Sequence, residues 1–395
     1  MFIPARSLRR LSRTLAALAA ALLLFAPFPG PTAPVWVDFQ PGPGLGYIAD
    51  YEQGPAVRAA SAILIEAATG TVLYAKNEHA ARPMASTTKI MTALLALENS
   101  GLEEMVTVSS RATRVTGSDA GLRPGQRLTM RELLHGLLLP SGNDAANAVA
   151  EHVSGSQPAF VAMMNERAQQ LGATRTRFAN PHGLDAPGHY STAYDLALIA
   201  RTALLFPTFG QIVQTPEFRP ESISRTWRNT NRLLWSFDGI EGVKTGTTSG
   251  AGYCLVAAAS RGGMRLISVV LDSPDRWQDT VRLLEYGFDQ FHLLTLASHG
   301  DTIAEANVPG GLGTLAAVVD GDFRVVVRDR DVNNLEITVA LDDIRPPVRA
   351  GQPVGRLEIA GGSRTLQSVP LIAREDVPRW TLWAYLARWI QTHIL

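Results

Sequence analysis

Cysteine is almost missing from this sequence: Cys254 is the only one in 395 residues. A single thiol excludes an intrachain disulfide and a zinc site built on cysteine clusters, so the fold must rest on its cores. A net charge is missing too. Lys+Arg and Asp+Glu both number 36, which removes any global electrostatic case for a nucleic-acid partner, and none is expected. No internal repeat or long low-complexity tract occurs. Charged residues make up 18% against 46% hydrophobic, a balance that fits globular domains of sizeable core.

The first forty residues read as lying outside the fold. Arg6, Arg9, Arg10 and Arg13 precede an apolar run at 15–25, which is shorter than the ~20 residues of a membrane span. Pro27, Pro29, Pro31 and Pro34 follow it. This is the layout of a secretory signal peptide, expected over 1–34, with an uncleaved N-terminal anchor as the alternative. Export is the corresponding expectation, to the periplasm or the outer face of the cytoplasmic membrane. Residues 35–57, rich in Pro and Gly, read as an N-terminal arm.

From residue 60 the pattern is strand, turn, strand, with 61–66 and 71–75 flanking Ala68-Thr69-Gly70. Helices are expected at 86–98, 128–139, 144–152, 158–171 and 191–205, with Pro140-Ser141-Gly142 separating the second from the third. After Pro207 the texture reads as strands, notably 239–245, 253–260 and 265–271, before a helix at 276–288. The expected class is α+β, an antiparallel sheet flanked by helices with a helical cluster, over 58–293. Residues 298–374 carry short alternating runs bounded by turn residues and read as a small all-β domain. Residues 376–395 read as a terminal amphipathic helix with Asp376 as its cap and Pro378 in its first turn. Trp383, Leu386, Ile390 and Ile394 share one face of it.

Three short motifs carry the chemistry. Ser86-Thr87-Thr88-Lys89 places a hydroxyl and an amine one turn apart, on one face of a helix start. A serine hydroxyl is a poor nucleophile unless a base stands beside it, and a lysine serves when burial and nearby cations lower its pKa. Ser141-Gly142-Asn143 lies between two helices. Ser141 can pass a proton to a leaving amine, and Asn143 can bond the lysine and a substrate amide. Lys244-Thr245-Gly246 ends a strand whose edge can take an extended peptide. Lys244 adds positive charge, Thr245 can bond a carboxylate, and Gly246 permits close backbone approach. The N–H groups of Thr247 and Ser86 can form an oxyanion hole. Each motif alone is compatible with an ordinary cap, turn or strand end; all three in this order are not expected by chance.

Other titratable groups read as structural. His182 and His189 fall in loop-like segments and are expected to make hydrogen bonds, His135 to lie on a helix surface, and Cys254 to fill an apolar strand.

The trio and its surroundings resemble the D-alanyl-D-alanine carboxypeptidases, the low-molecular-mass penicillin-binding proteins. The likeness includes 137–144 (LLLPSGND), 180–185 (NPHGLD), 189–195 (HYSTAYD), 229–232 (NTNR), 242–246 (GVKTG) and Gly252-Tyr253. It is strong over 58–293 and less specific beyond. It implies a β-lactamase/transpeptidase-like fold and a Ser86 acyl-enzyme formed on a peptidoglycan stem pentapeptide, with loss of the terminal D-alanine. It implies no metal or organic cofactor. By likeness, Arg276 lies near the substrate's terminal carboxylate. Ser-Gly-Asn departs from the Ser-Asp-Asn of class A β-lactamases, and no counterpart of their deacylating glutamate is evident, so β-lactams are expected to inhibit. The tail, 376–395, resembles an interfacial helix for the outer face of the membrane, with a terminal helix docked on its own β-domain as the alternative. Two alternatives stay open. One is an endopeptidase or weak β-lactamase using the same Ser86; the other is a catalytically silent wall-binding protein, against which the intact trio argues.

Overall fold

The structure, a computed structural model, describes residues 45–48, 51, 53–361, 364–383, 385, 386 and 389. The expected signal peptide, most of the N-terminal arm and much of the tail lie outside them.

Six strands form the main sheet: β1 (Gly46–Tyr47), β2 (Ser61–Glu66), β3 (Thr71–Lys76), β4 (Ile240–Thr248), β5 (Gly252–Arg261) and β6 (Met264–Leu271). Their order is β1-β3-β2-β6-β5-β4, antiparallel except for β1 beside β3. The predicted hairpin is β2–β3, and β1 shows that part of the expected arm joins the sheet. Strand β2 is buried at every position, and its middle, Ala62 to Ile65, is a continuous apolar run rather than an alternating one.

Helices α1 (Lys89–Asn99), α2 (Met130–Leu138), α3 (Asn143–Ser154), α4 (Gln157–Gln170) and α5 (Ala193–Ala203) form the helical cluster. All of α1 from Lys89 to Ala96 is buried, and α2, α3 and α5 pack around it. Thr129 caps α2 in a reciprocal capping box with Glu132, which is why the helix starts at Met130 and not at 128. Residues 127–129 pair instead as a short strand with 105–107. The segment after Pro207 is not a strand. Pro207 opens α6 (Pro207–Gln214), because proline's fixed φ and missing N–H suit a first helical position. Helix α7 (Arg276–Gln290), capped by Asp275, returns onto β5 and β6.

The β-rich region begins at Phe291, earlier than the sequence pattern places it. Strand β7 (Phe291–Ala297) pairs with β10 (Phe323–Arg328), while β8 (Thr302–Asn307), β9 (Thr314–Val319), β11 (Leu335–Leu341), β12 (Pro353–Gly361) and β13 (Arg364–Ala373) make a five-stranded sheet in the order β8-β9-β13-β12-β11. Leu315, Val325, Leu357 and Leu371 are among its core residues.

The tail departs from expectation at its start. Asp376 does not cap a helix; its carboxylate accepts from Ala350 N at 2.8 Å, and Val377 and Arg379 make β-bridges to Val348 and Gly311. Residues 382, 383, 385, 386 and 389 are helical, and the rest of the expected helix lies outside the described residues.

Candidate active site

Ser86 lies in a 3-10 turn, Ala85–Thr88, that runs straight into α1 at Lys89. The sequence pattern merges the two into one helix. The difference matters because residues i and i+3 eclipse in a 3-10 turn, which sets Ser86 directly against Lys89. Ala85 has a positive φ of 47°. It is held by a relay: His189 Nε2 bonds Thr88 Oγ1 at 2.9 Å, and that hydroxyl donates to the Ala85 carbonyl at 2.8 Å. Nδ1 of His189 accepts from Ala179 N, so its proton sits on Nε2. Burial lowers the His189 pKa to about 4 and that of His182 to about 3, keeping both rings neutral.

Lys89 is fully buried. Its Nζ lies 2.6 Å from the His182 carbonyl oxygen, 2.7 Å from Asn143 Oδ1 and 3.0 Å from Ser86 Oγ. Desolvation first, and the nearby charge of Lys244 second, push its pKa well below the usual lysine value. A neutral amine has two N–H donors and one lone pair. Two of the three partners, the carbonyl and the amide oxygen, can only accept; the third is a hydroxyl that can donate. Protonated, Lys89 donates to all three; having lost a proton, it keeps its two acceptor-only partners and turns its lone pair to the Ser86 hydroxyl.

The Ser-Gly-Asn segment forms the next wall. Asn143 begins α3, holds Lys89 by Oδ1 and donates from Nδ2 to the Thr116 carbonyl at 2.7 Å. Ser141 behaves differently. It has a positive φ of 66°, is buried, and its Oγ has no hydrogen-bond partner. Neither Ser141 nor Asn143 caps α3; the cap position falls on Gly142. A Cβ at Gly142 would sit 2.7 Å from Asp144 Oδ1, 2.8 Å from the Gly136 carbonyl and 2.9 Å from Ala120 Cβ. That space is closed because Asp144 accepts from Ala120 N and Leu122 N. Here the middle glycine is a packing requirement.

The third wall is β4. Gly246 lies against the Ser86 turn: a Cβ there would be 3.0 Å from Ser86 N, Met84 O and Ala85 Cβ. The close approach that glycine permits is to the nucleophile's own turn. Lys244 is buried, and its Nζ donates to Thr245 O at 3.0 Å. Burial, with the charge of Arg276, lowers its pKa to about 7. Thr245 Oγ1 lies 2.7 Å from Thr230 Oγ1, which ties the strand to the 229–232 loop. Arg276 donates from Nη1 to the Gly246 carbonyl and to Thr247 Oγ1, both at 2.9 Å.

The structure thus brings Ser86, Lys89 and Asn143 into one hydrogen-bonded group and places Gly246 against it. Arg276, Gly246 and Thr247 form a second group. Ser141 makes no bond to either, and Lys244 meets Lys89 and Arg276 through charge alone. The His182 carbonyl escapes sequence reasoning because a main-chain acceptor has no residue-type signature. Arg232, exposed and close enough to help lower the Arg276 pKa, was visible only as part of the NTNR string. His135 corrects the surface expectation; it is buried and stacked on Phe218 with centroids 3.8 Å apart. Cys254 is buried as expected. Among the described residues no cluster of His, Cys, Asp or Glu is arranged to hold a metal.

Comparison with known proteins bears on this geometry. A family model described as D-alanyl-D-alanine carboxypeptidase matches residues 49–275. This chain belongs to that family. The C-terminal domain model of penicillin-binding protein 5 matches 291–379, which coincides with the β-rich region. The D-alanyl-D-alanine carboxypeptidase DacF of Bacillus subtilis is 36% identical over 84% of this chain and 89% of its own length. DacC of Escherichia coli is 36% identical over 93% and 92%. Among solved structures, penicillin-binding protein 5 from Haemophilus influenzae superposes with a TM-score of 0.76 at 31% identity, covering 82% of this chain and 99% of that one. The DD-transpeptidase of Streptomyces K15 gives 0.57 at 37% identity over 60% of this chain and 99% of its own, the share expected if only the Ser86-bearing region corresponds.

Proposed function

We propose that the protein is a serine D-alanyl-D-alanine carboxypeptidase that trims the terminal D-alanine from peptidoglycan stem pentapeptides. The observation that carries the reading is the three-point contact of the buried Lys89 amine, with Ser86 Oγ as the one partner able to give it a proton.

Ser86 Oγ bonds the carbonyl carbon of the penultimate D-alanine while its proton passes to Lys89. The N–H groups of Ser86 and Thr247 take the developing oxyanion. The C–N bond then breaks, and the leaving amine receives its proton from Lys89 by way of Ser141, whose unpartnered hydroxyl suits a relay. Water then bonds the ester carbon while giving a proton to Lys89, and Lys89 returns that proton to Ser86 Oγ as the ester bond breaks and the tetrapeptide leaves. Lys244, Thr245 and Arg276 hold the terminal carboxylate, and Asn143 bonds a substrate amide as well as Lys89. A β-lactam follows the same first step, but its amine stays tethered. That tethered amine stays where water must enter for Lys89 to activate it, and the carboxylates of Asp144 and Asp185, engaged with backbone amides at Ala120, Leu122 and Gly250, offer no second base, so the penicilloyl ester persists and inhibits.

Work on stem peptides requires export, to the periplasm or the outer face of the cytoplasmic membrane, and bears on cell-wall organisation and cell shape. We place the tail, 376–395, on that membrane face. The exposed Trp380, Leu382, Trp383 and Leu386 support this, since tryptophan favours the membrane–water interface. Deleting the tail and fractionating cells tests it: association unchanged without the tail refutes the placement.

The activity is tested by mass spectrometry of the purified protein beside a Ser86→Ala control, mixed with a pentapeptide muropeptide and, separately, with penicillin. Loss of one alanine residue and a penicilloyl adduct on Ser86, both absent from the control, are expected. An intact peptide and an unlabelled Ser86 in folded protein refute the reading.

A further inference from the structure

Arg276 is gripped on three sides. Its guanidinium carbon lies 4.7 Å from the ring centroid of Trp277 and 5.4 Å from that of Tyr253. Its Nη1 donates to the Gly246 carbonyl and Thr247 Oγ1, and at 3.3 Å to the Cys254 carbonyl. Gly246 and Cys254 face each other across the β4–β5 ladder, as do Thr247 and Tyr253. One nitrogen is therefore committed to the sheet. Nε and Nη2 have no protein partner among the described residues. The N–H groups on that side of a guanidinium point the same way and match the two oxygens of a carboxylate.

The rings explain why that edge stays available. A guanidinium stacks on an aromatic face through its own face, so the rings fix its plane without taking its edge donors. The two rings differ in anchorage. Trp277 packs against the core cluster beneath the sheet, whereas Tyr253 is 52% exposed at the cleft side of β5. Without them the arginine stem would regain much of its rotamer freedom, and each binding event would have to remove it again.

We propose that Tyr253 and Trp277 form an aromatic clamp that fixes the Arg276 guanidinium and makes the site select ligands ending in a free carboxylate over ester- or amide-capped ones. Both are positioning residues that act through Arg276. The proposal takes its substrate class from the carboxypeptidase reading, but its test does not need turnover.

That test compares benzylpenicillin with its methyl ester in the full-length protein and in Tyr253→Leu and Trp277→Leu, following the Ser86 adduct by mass spectrometry. Leucine keeps apolar bulk and removes the π face. The wild type reacts faster with the acid. Trp277→Leu lowers the acid-to-ester rate ratio about tenfold and Tyr253→Leu about three- to fivefold, sizes set by the loss of one partly desolvated cation–π contact. The ester rate stays within about twofold in both. An unchanged ratio in the variants, or acid and ester rates that fall together, overturns the clamp. If Trp277→Leu fails to fold, the exposed Tyr253 decides alone. D-alanine release by the wild type is scored separately: no release, with an acid preference that the variants lose, refutes the carboxypeptidase reading and leaves the clamp standing.

Discussion

The region that carries Ser86 and the β-rich region that follows it bury different things. Before Phe291 the buried polar side chains include Lys89, Asn143, Asp144, His182, His189, Asp195, Lys244 and Asp279, while from Phe291 onward Arg328 alone is buried among the described residues. Among the described residues the four non-glycine positions with positive φ, Asn77, Ala85, Ser141 and Asp272, all fall in the first region as well. Two of them, Ala85 and Ser141, touch the site. The β-rich core is Val, Leu, Ile, Ala and Phe, drawn from its strands and from Val308, Val348 and Val377 beside them. Strain and desolvated polarity cost stability, and they persist where the surrounding packing over-determines them. One region spends folding energy on a reactive geometry; the other has no such geometry to maintain.

Breaking the chemistry without breaking the fold should give the largest effect. Lys89→Met removes the base and should slow Ser86 acylation by at least about 10³-fold, read as the rate of penicilloyl adduct formation. A rate within tenfold of wild type would remove Lys89 from that role.

The converse experiment attacks the β-rich core. Leu371 is fully buried there, and Leu371→Ala should cost about 2–5 kcal/mol in denaturant unfolding of that region. Acylation of Ser86 should stay within about twofold. A parallel loss of acylation would show that the two regions are energetically coupled.

Ser141→Gly sharpens the contrast inside the first region. Glycine relieves the positive φ and removes a buried hydroxyl without a partner, so melting should report a gain of about 1 kcal/mol. Turnover should fall about 10²-fold with the relay gone. A variant that loses stability instead would mean that the Ser141 hydroxyl is satisfied in solution.

Near neutral pH the smallest effect is on pH dependence. His182 and His189 titrate at about 3 and about 4 in the folded chain, below the usual value of 6.5. The unfolded chain therefore binds more protons below about pH 6.5, and stability should fall from there toward pH 4. The slope is at most about 1.4 kcal/mol per pH unit for each histidine. His189→Gln should flatten that slope in thermal melts, and an unchanged slope would point to other groups.

Much of the site was legible because its chemistry depends on residue type at short spacing. Ser86 and Lys89 lie side by side, Lys244 lies on a strand, and Asn143 opens a helix after the Pro140-Ser141-Gly142 break. The α+β class and the β-rich second region followed from runs of apolar residues between turn residues. Boundaries were less legible. Pro207 looked like the end of the helical region and is a helix start; the β-rich region was set several residues late because Phe291–Ala297 finds its partner, β10, only after β8 and β9 have intervened. The tail's first residues read as a helix by composition, yet they form bridges to Val348 and Gly311, and such pairing leaves no periodicity to read.

By itself the sequence named the groups proposed to react, since a nucleophile, a base and cations are told by their side chains. It also determined that no disulfide holds the chain. Only the tertiary structure decided that the Lys89 amine gives up its proton more readily than a free lysine, because burial and the charge of Lys244, 155 positions away in sequence (244 − 89), hold its pKa well below the usual value. It likewise decided that a main-chain carbonyl at His182 aims that amine, that Gly142 cannot be aspartate while Asp144 fills its space, and that two rings hold Arg276. Each of these depends on distances between segments remote in the chain, and a linear string does not contain those distances until the core has packed.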